Sequence, residues 1–171
     1  TNAIDATYYY QYNNRNEPSA TCGVTSAAML LSQFGKTLTP DDLYRKYGKA
    51  KGQSPVGLAD IYRWELGYGK GTYKGSIAQI KRHVDAGRPV VIHGWFTGPG
   101  HIMTVIGYNE TGLVVHDPSG KWAGCRGCGY PGRTSTNGRQ ITYSYTSLLG
   151  GVIGADGDIW MSVGSTSDFQ L

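Results

Sequence analysis

Hydrophobic residues in the first half of the chain recur at the three- and four-residue spacing of amphipathic helices. The first such segment begins near Cys22 and ends before Gly35, a residue type suited to a C-terminal cap. Three further segments begin with a hydroxyl residue that can cap a helix, at Thr39, Ser54 and Ser76. The pattern therefore predicts four helices and a mainly helical first half.

After Pro89 the pattern changes to short runs of β-branched and aromatic residues, which are typical of strands. The first three runs are joined by turn sequences of hairpin length, which predict an antiparallel meander, and a glycine-rich insertion at 118–139 precedes the last two. The runs lie at 90–95, 101–108, 113–117, 140–145 and 158–163. Helices followed by strands indicate an α+β fold, with N-terminal helices packed on a C-terminal antiparallel sheet.

Length and composition suit one globular domain. The chain has 171 residues, of which 39% are hydrophobic and 16% charged, and its 26 glycines and 13 tyrosines favour a loop-rich, partly β protein. We assign residues 1–164 to this domain and 165–171 to a tail or linker. No apolar run reaches the length of about 18–20 residues that spans a membrane. We expect a monomer.

The net charge is mildly positive. Sixteen lysines and arginines against 12 aspartates and glutamates give +4, an excess that favours an anionic partner. The basic residues are scattered and form no stripe with aromatic residues, so we expect no nucleic-acid partner. Bacterial wall polymers are another anionic surface.

Cys22 is the candidate nucleophile. It lies at the start of the first predicted helix, where unpaired N–H groups and the positive end of the dipole favour a thiolate. A small buried cysteine at a helix start is the alternative interpretation, since free cysteines are commonly buried.

A thiolate nucleophile needs a base in contact with it, and histidine acts as one near neutral pH. Four histidines are present. His83 is predicted on the polar, solvated side of the fourth helix, and His93 is predicted to be structural or to support the site from behind. His101 opens a strand directly after Gly-Pro-Gly, at the edge of a cleft, and alternation places His116 on the opposite sheet face from Asp117.

The choice between His101 and His116 depends on a third group that fixes the imidazole tautomer. Pairing of 101–108 with 113–117 about their tight turn brings Asp117 close to His101. The alternative for Asp117 is a plain turn residue in the sequence Asp-Pro-Ser-Gly. An oxyanion also needs a donor, and Gln11, in an extended aromatic segment, is the candidate amide.

Taken together, these motifs resemble the C39-like cysteine peptidases of the papain-like superfamily, over about residues 8–120. The segments that carry the resemblance contain the candidate Gln, Cys, His and Asp in that order. They are Tyr10-Gln11-Tyr12, Thr21-Cys22-Gly23-Val24-Thr25-Ser26-Ala27-Ala28-Met29, Gly87-Arg88-Pro89-Val90-Val91-Ile92, Gly100-His101-Ile102-Met103-Thr104-Val105-Ile106-Gly107-Tyr108 and Val115-His116-Asp117-Pro118.

The resemblance implies a papain-like fold and acyl transfer through a thioester. It implies Cys22 as the nucleophile, His101 as the general base and acid, Asp117 as the orienting residue and Gln11 in the oxyanion hole. No metal or organic cofactor is required. A catalytically silent peptide-binding module of the same fold is the alternative class.

Cys125 and Cys128 form a C-x-x-C motif in the glycine-rich insertion. Its loop context makes a thioredoxin-like role the weakest interpretation, and a zinc site needs two more ligands, of which His116 is one candidate. The favoured interpretation is a local disulfide that stiffens the loop and leaves Cys22 unpaired, which fits a secreted, extracytoplasmic or phage-associated protein.

The resemblance includes secreted enzymes and phage lysins that cut wall peptides, and peptidases that cut bacteriocin leaders after double glycine. The mild positive charge and the extracytoplasmic cysteine pattern favour a peptidoglycan endopeptidase acting on stem or cross-bridge peptides. Double-glycine leaders and other peptides remain the alternative substrates.

Overall fold

The four predicted helices are present in the structure, a computed structural model that describes residues 3–171. Capping boxes at Thr39 and Ser76 pair each hydroxyl with the backbone N–H three residues ahead, while that residue's side chain accepts from the cap's own N–H. None of the helices within the described residues has the length and hydrophobicity needed to cross a bilayer. The helices are α1 (Cys22–Ser32), α2 (Pro40–Tyr47), α3 (Pro55–Leu66), α4 (Ile77–Asp85) and the short α5 (Tyr145–Leu148).

Six strands form one antiparallel sheet in the order β1-β6-β2-β3-β4-β5. The meander predicted for the middle of the chain is confirmed as β2-β3-β4. The strands are β1 (Tyr68–Gly75), β2 (Val90–Gly94), β3 (His101–Tyr108), β4 (Gly112–His116), β5 (Ile141–Ser144) and β6 (Ile159–Ser165).

Strand β1 was not predicted from the sequence, although the first half is otherwise mainly helical as expected. Its sequence has glycine at alternate positions, which reads as turn rather than strand. The structure shows the reason, because α3 lies directly on this strand. A Cβ at Gly69 or Gly71 would collide with the carbonyl oxygens of Ala59 and Pro55. The glycines therefore permit a close helix–sheet approach.

The sheet separates two hydrophobic clusters. Val91 and Ile102 face α1 and α3 on one side, and their sequence neighbours Ile92 and Met103 face the other side. The second side is covered by α4, α5 and part of the glycine-rich insertion, including Trp122. Helix α1, which carries Cys22, is thus held against the middle of the sheet.

The C-terminal residues, assigned from the sequence to a tail or linker, pack on the domain. Ser165 ends β6, and Phe169 is buried in the core. The Lys70 ammonium donates to the Phe169 carbonyl, and the Arg82 guanidinium donates to the carbonyls of Gln170 and Leu171.

Candidate active site

Cys22 is the first residue of α1 and the one free cysteine of residues 3–171. The N–H groups of the first helical turn lack intrahelical partners, so they and the helix dipole favour negative charge on the thiol. The next residue, Gly23, lies so close to the Gly52 backbone that any side chain there would collide with it. This contact fixes the start of the helix, and with it the partly exposed Cys22 thiol.

His101, the first residue of β3, connects Cys22 to Asp117. Its Nε2 atom lies 2.9 Å from Asp117 Oδ1, and its imidazole lies beside the Cys22 thiol at the edge of one cleft. With Nε2 occupied by Asp117, Nδ1 is the ring nitrogen left for Cys22. Burial disfavours the imidazolium, but the Asp117 carboxylate that it hydrogen-bonds and the nearby Cys22 thiol outweigh burial and raise the pKa of His101 to about 10.

The Asp117 carboxylate is fully buried, and both its oxygens are occupied. Oδ1 accepts from His101 and from the Ser119 backbone N–H at 3.1 Å, and Oδ2 accepts from the hydroxyls of Tyr130 and Tyr143, each at 2.7 Å. Burial, together with the Asp117 charge, raises the pKa of each phenol well above the ordinary value of a tyrosine. Both hydroxyls therefore keep their protons and donate to Asp117. Asp117 is held rigidly behind His101.

Gln11 lies on the far side of this network, in the short 3-10 turn Gln11–Asn13. Its Nε2 donates to the Pro18 carbonyl at 2.8 Å, and its Oε1 accepts from Ser119 Oγ at 2.7 Å. Gln11 is therefore joined to Asp117 through Ser119. The structure hydrogen-bonds His101 to Asp117, places Cys22 beside His101 on the same cleft, and joins Gln11 to the buried network behind them.

A cleft of about 270 Å³ opens beside Cys22 and His101, and we call it the Cys22 cleft. The helical side contributes Gln53, whose Nε2 donates to the Ala20 carbonyl, and the sheet side contributes the two half-exposed indoles of Trp95 and Trp160. Gln11 is not among the described residues that line it. Gln53 is thus a second amide near the thiol, which the sequence analysis did not single out.

His93 and His101 lie on neighbouring strands, and His93 lines the cleft. Its Nε2 is buried and has no hydrogen-bond partner among residues 3–171. Burial and the positive His101 lower the pKa of His93 to about 4, so its imidazole is neutral at neutral pH. It supports the site without contacting Asp117.

The other two histidines lie outside the site. The prediction that His83 is solvated is wrong, because its ring is fully buried and packs edge-on against Phe169. Its Nδ1 accepts from Arg88 Nε at 3.0 Å. His116 donates from Nε2 to the Ala6 carbonyl and accepts at Nδ1 from the Gln140 backbone. Both ring nitrogens of His116 are thus used structurally.

Cys125 and Cys128 are joined in a disulfide, which confirms the favoured interpretation of this motif and removes both thiols from the zinc alternative. The closed loop supports the cleft from behind. The Gly127 N–H donates to the Trp95 carbonyl at 2.8 Å, and the Gly129 N–H donates to the Phe96 carbonyl at 2.9 Å.

The arrangement is suited to acyl transfer. A thiol at a helix start, an imidazole in contact with it and a buried carboxylate behind the imidazole are the parts of a nucleophile–base–orienter set. The raised pKa of His101 keeps its imidazole protonated at neutral pH, so it can donate a proton to a leaving amine.

Comparison with known proteins gives the same family as the motifs. The sequence model of the Peptidase_C39 like family matches residues 3–146. The fold is similar to that of a protein from Bacillus anthracis classed as a C39-like peptidase, with a TM-score of 0.61 and 16% identity over 98% of this chain and 100% of that chain.

It is also similar to a double glycine motif protease from an AMS/PCAT transporter, crystallised in complex with the leader peptide. That TM-score is 0.62, with 14% identity over 95% of this chain and 91% of that chain. No curated protein matches the sequence at a significant level. At these identities the two structures support the fold alone.

Proposed function

The chain belongs to the Peptidase_C39 like family, and we propose that it is a cysteine endopeptidase in which Cys22, His101 and Asp117 carry the chemistry. One observation carries the proposal, namely the series in which the Cys22 thiol lies beside His101 on an open cleft and His101 is hydrogen-bonded to the buried Asp117. A silent binding module of this fold has no need for that series, or for a carboxylate with both oxygens occupied.

In the first half-reaction the Cys22 thiolate attacks the carbonyl carbon of a peptide bond. The carbon–nitrogen bond then breaks, and the His101 imidazolium gives its Nδ1 proton to the departing amine, which leaves an acyl thioester on Cys22. Asp117 holds the ring through Nε2 and stabilises its positive charge before transfer.

In the second half-reaction neutral His101 takes a proton from water, and the resulting hydroxide attacks the thioester carbonyl. The carbon–sulfur bond breaks, the carboxylic acid product leaves and loses its proton to solvent, and the thiolate–imidazolium pair is restored. The oxyanion of each tetrahedral intermediate is assigned two donors, the Cys22 backbone N–H at the helix start and the amide of Gln11. One hydrogen of Gln11 Nε2 is committed to Pro18, and because Gln11 is buried and does not line the cleft, this role requires its second hydrogen to reach the bound oxyanion.

We propose peptidoglycan stem or cross-bridge peptides as the substrate, and a secreted, extracytoplasmic or phage-associated setting. The disulfide supports an oxidising compartment, and the net charge of +4 supports attraction to an anionic wall. Two half-exposed tryptophans beside the thiol suit a polymeric ligand that lies across the cleft. The enzyme is proposed to act as a monomer.

Leader peptides that end in double glycine are the second candidate substrate. The observation that favours them is the fold similarity to the double glycine motif protease. Gly94, Gly100 and Gly154 are among the residues that line the Cys22 cleft.

The test is mass spectrometry of purified peptidoglycans with different cross-bridges, and of a synthetic double-glycine leader, after incubation with the protein. Cys22→Ala is the matched control. Peptides released from wall material by the wild type but not by Cys22→Ala support the proposal, and their new termini identify the bond. Release from the leader alone transfers the function to the second candidate.

A further inference from the structure

Among residues 3–171, no lysine or arginine lines the Cys22 cleft, although the chain has 16 of them. The charged side chain at its mouth is instead Asp158, which directly precedes β6. No lysine, arginine or histidine of residues 3–171 forms an ion pair with Asp158. A basic protein therefore presents an exposed and unpaired carboxylate beside its candidate nucleophile.

Two aromatic walls accompany this carboxylate. Trp160 lies two residues after Asp158, so strand alternation places both on one face of the sheet. Tyr73 packs edge-on against the Trp160 ring, with centroids 4.6 Å apart, and the Trp95 backbone is held by Val152 and by the disulfide loop. An indole face attracts a cation, and a nearby carboxylate adds to that attraction.

The remaining charges of the site do not offset Asp158. The His101 imidazolium is balanced by the buried Asp117 carboxylate with which it pairs. His93 is neutral, because burial and His101 lower the pKa of its imidazole to about 4. The cleft is thus negative within a protein of net charge +4.

We propose that Asp158, Trp95 and Trp160 form a subsite for a primary ammonium group on the substrate, the side-chain amine of a lysine-like diamino acid close to the scissile bond. This assignment rests on the proposed peptidase function and names the residue type that the enzyme selects. The ammonium group lies between the two indoles and pairs with the Asp158 carboxylate.

The experiment uses a wall peptide that the protein cleaves, in its native form and with only the side-chain amine acetylated. Acetylation removes one positive charge and leaves the scissile bond unchanged. For the wild type we expect it to reduce kcat/KM by about tenfold or more, chiefly through KM. Asp158→Asn should show the same loss with the native peptide and no further loss with the acetylated peptide.

Glu110→Gln is the matched control, because it removes one carboxylate from a turn outside the cleft. It should behave as the wild type does. Equal rates on both peptides, with Asp158→Asn unchanged, overturn the subsite but leave the peptidase intact. Acetylation of the α-amine alone should have no effect, and a loss there overturns the side-chain assignment.

If the wild type cleaves neither peptide, the proposed function fails and binding decides the subsite by itself. Calorimetry with the same peptide pair should then show about tenfold preference for the free amine. Asp158→Asn should lack that preference, and equal affinities in the wild type reject the subsite.

Discussion

His101 and Asp117 meet across two adjacent strands, with Nε2 2.9 Å from Oδ1, beyond a β-bulge in β3. The register shifts at Ile106, so that His116 pairs with Thr104; in a regular ladder it would pair with Val105. One extra residue inverts the alternation of side chains along the rest of the pair. Asp117 therefore emerges on the sheet face that carries His101.

Asp117→Asn should lower kcat by about a hundredfold or more, because an amide does not stabilise the imidazolium as a carboxylate does. The substitution also changes the Asp117 oxygen that accepts hydrogen bonds from the hydroxyls of Tyr130 and Tyr143. We therefore expect the free energy of unfolding to fall by about 1–3 kcal/mol. Kinetics and urea denaturation measure the two effects. Tyr130→Phe should lower stability while retaining most of the activity, and an equal loss of kcat in both variants would contradict the orienting role.

The sequence predicts that Asp117 lies near His101, because the turn between β3 and β4 is short and its composition is clear. It does not predict the bulge. Ile106 and Gly107 have nothing in their local pattern that distinguishes a bulged strand from a regular one. The bulge lies against a segment distant in sequence, since the Ile4 N–H donates to the Ile106 carbonyl at 2.7 Å and Ala3 lies beside Gly107.

The raised pKa of His101 predicts fast labelling of Cys22 near pH 6.5. The imidazolium beside the thiol keeps it reactive, so His101→Gln should slow iodoacetamide labelling about 10- to 100-fold at that pH. Rates that do not depend on His101 would contradict the ion pair.

The same pKa has a consequence for stability. It rises from 6.5 to about 10 on folding, so the stabilising contribution is complete below pH 6.5 and is lost as the pH rises through about 10. Urea denaturation at several pH values should show a steeper decline above neutrality in the wild type than in His101→Gln.

Gln11 and Gln53 can be distinguished as oxyanion donors. If Gln11 has this role, Gln11→Ala should lower kcat by about 10²–10³-fold while Cys22 labelling stays fast. Gln53→Ala is the matched control, since Gln53 lines the cleft and donates to the Ala20 carbonyl. A larger loss of kcat in Gln53→Ala would assign the oxyanion hole to that residue instead.

Tyr130 and Tyr143 illustrate why part of the site could not be predicted. Both donate to Asp117, but Tyr130 lies in the glycine-rich insertion and Tyr143 in β5. A tyrosine in a loop carries no local signal for a hydrogen bond to a distant carboxylate. Cys22, His101 and Asp117 could be singled out as candidates because they lie at a helix start, at a strand start and directly after a strand.

The disulfide should affect substrate binding more than stability. The Cys125–Cys128 loop is very short, so its loss costs about 2 kcal/mol or less by loop-entropy arguments. The double variant Cys125→Ser, Cys128→Ser should raise KM, because the loop positions Trp95 in the cleft. Peptide kinetics measure the change, and an unchanged KM would contradict the supporting role.

Mass analysis without reductant should find the native Cys125–Cys128 pair two hydrogens lighter than its reduced form.

His83 should make the protein sensitive to acid. Burial, followed by the positive Arg88 and Arg82, lowers the pKa of His83 from 6.5 to about 4. Below pH 6.5 the unfolded chain binds a proton that the folded chain rejects, so stability falls as the pH drops from 6.5 towards 4. His93 adds a decline over the same range.

His83→Gln removes the titratable proton and keeps an acceptor for Arg88, so it separates acid sensitivity from packing. We expect the melting temperature of the wild type to fall more than that of His83→Gln between pH 7.5 and pH 5, even if the variant is less stable at pH 7.5. The acid-induced fall in melting temperature that His83→Gln retains is due in part to His93.

Hydrogen exchange gives a second measurement. Because Arg82 also holds the carbonyls of Gln170 and Leu171, exchange at pH 5 should rise first in that C-terminal segment. Parallel melting curves for the two proteins would show that His83 does not titrate in this range.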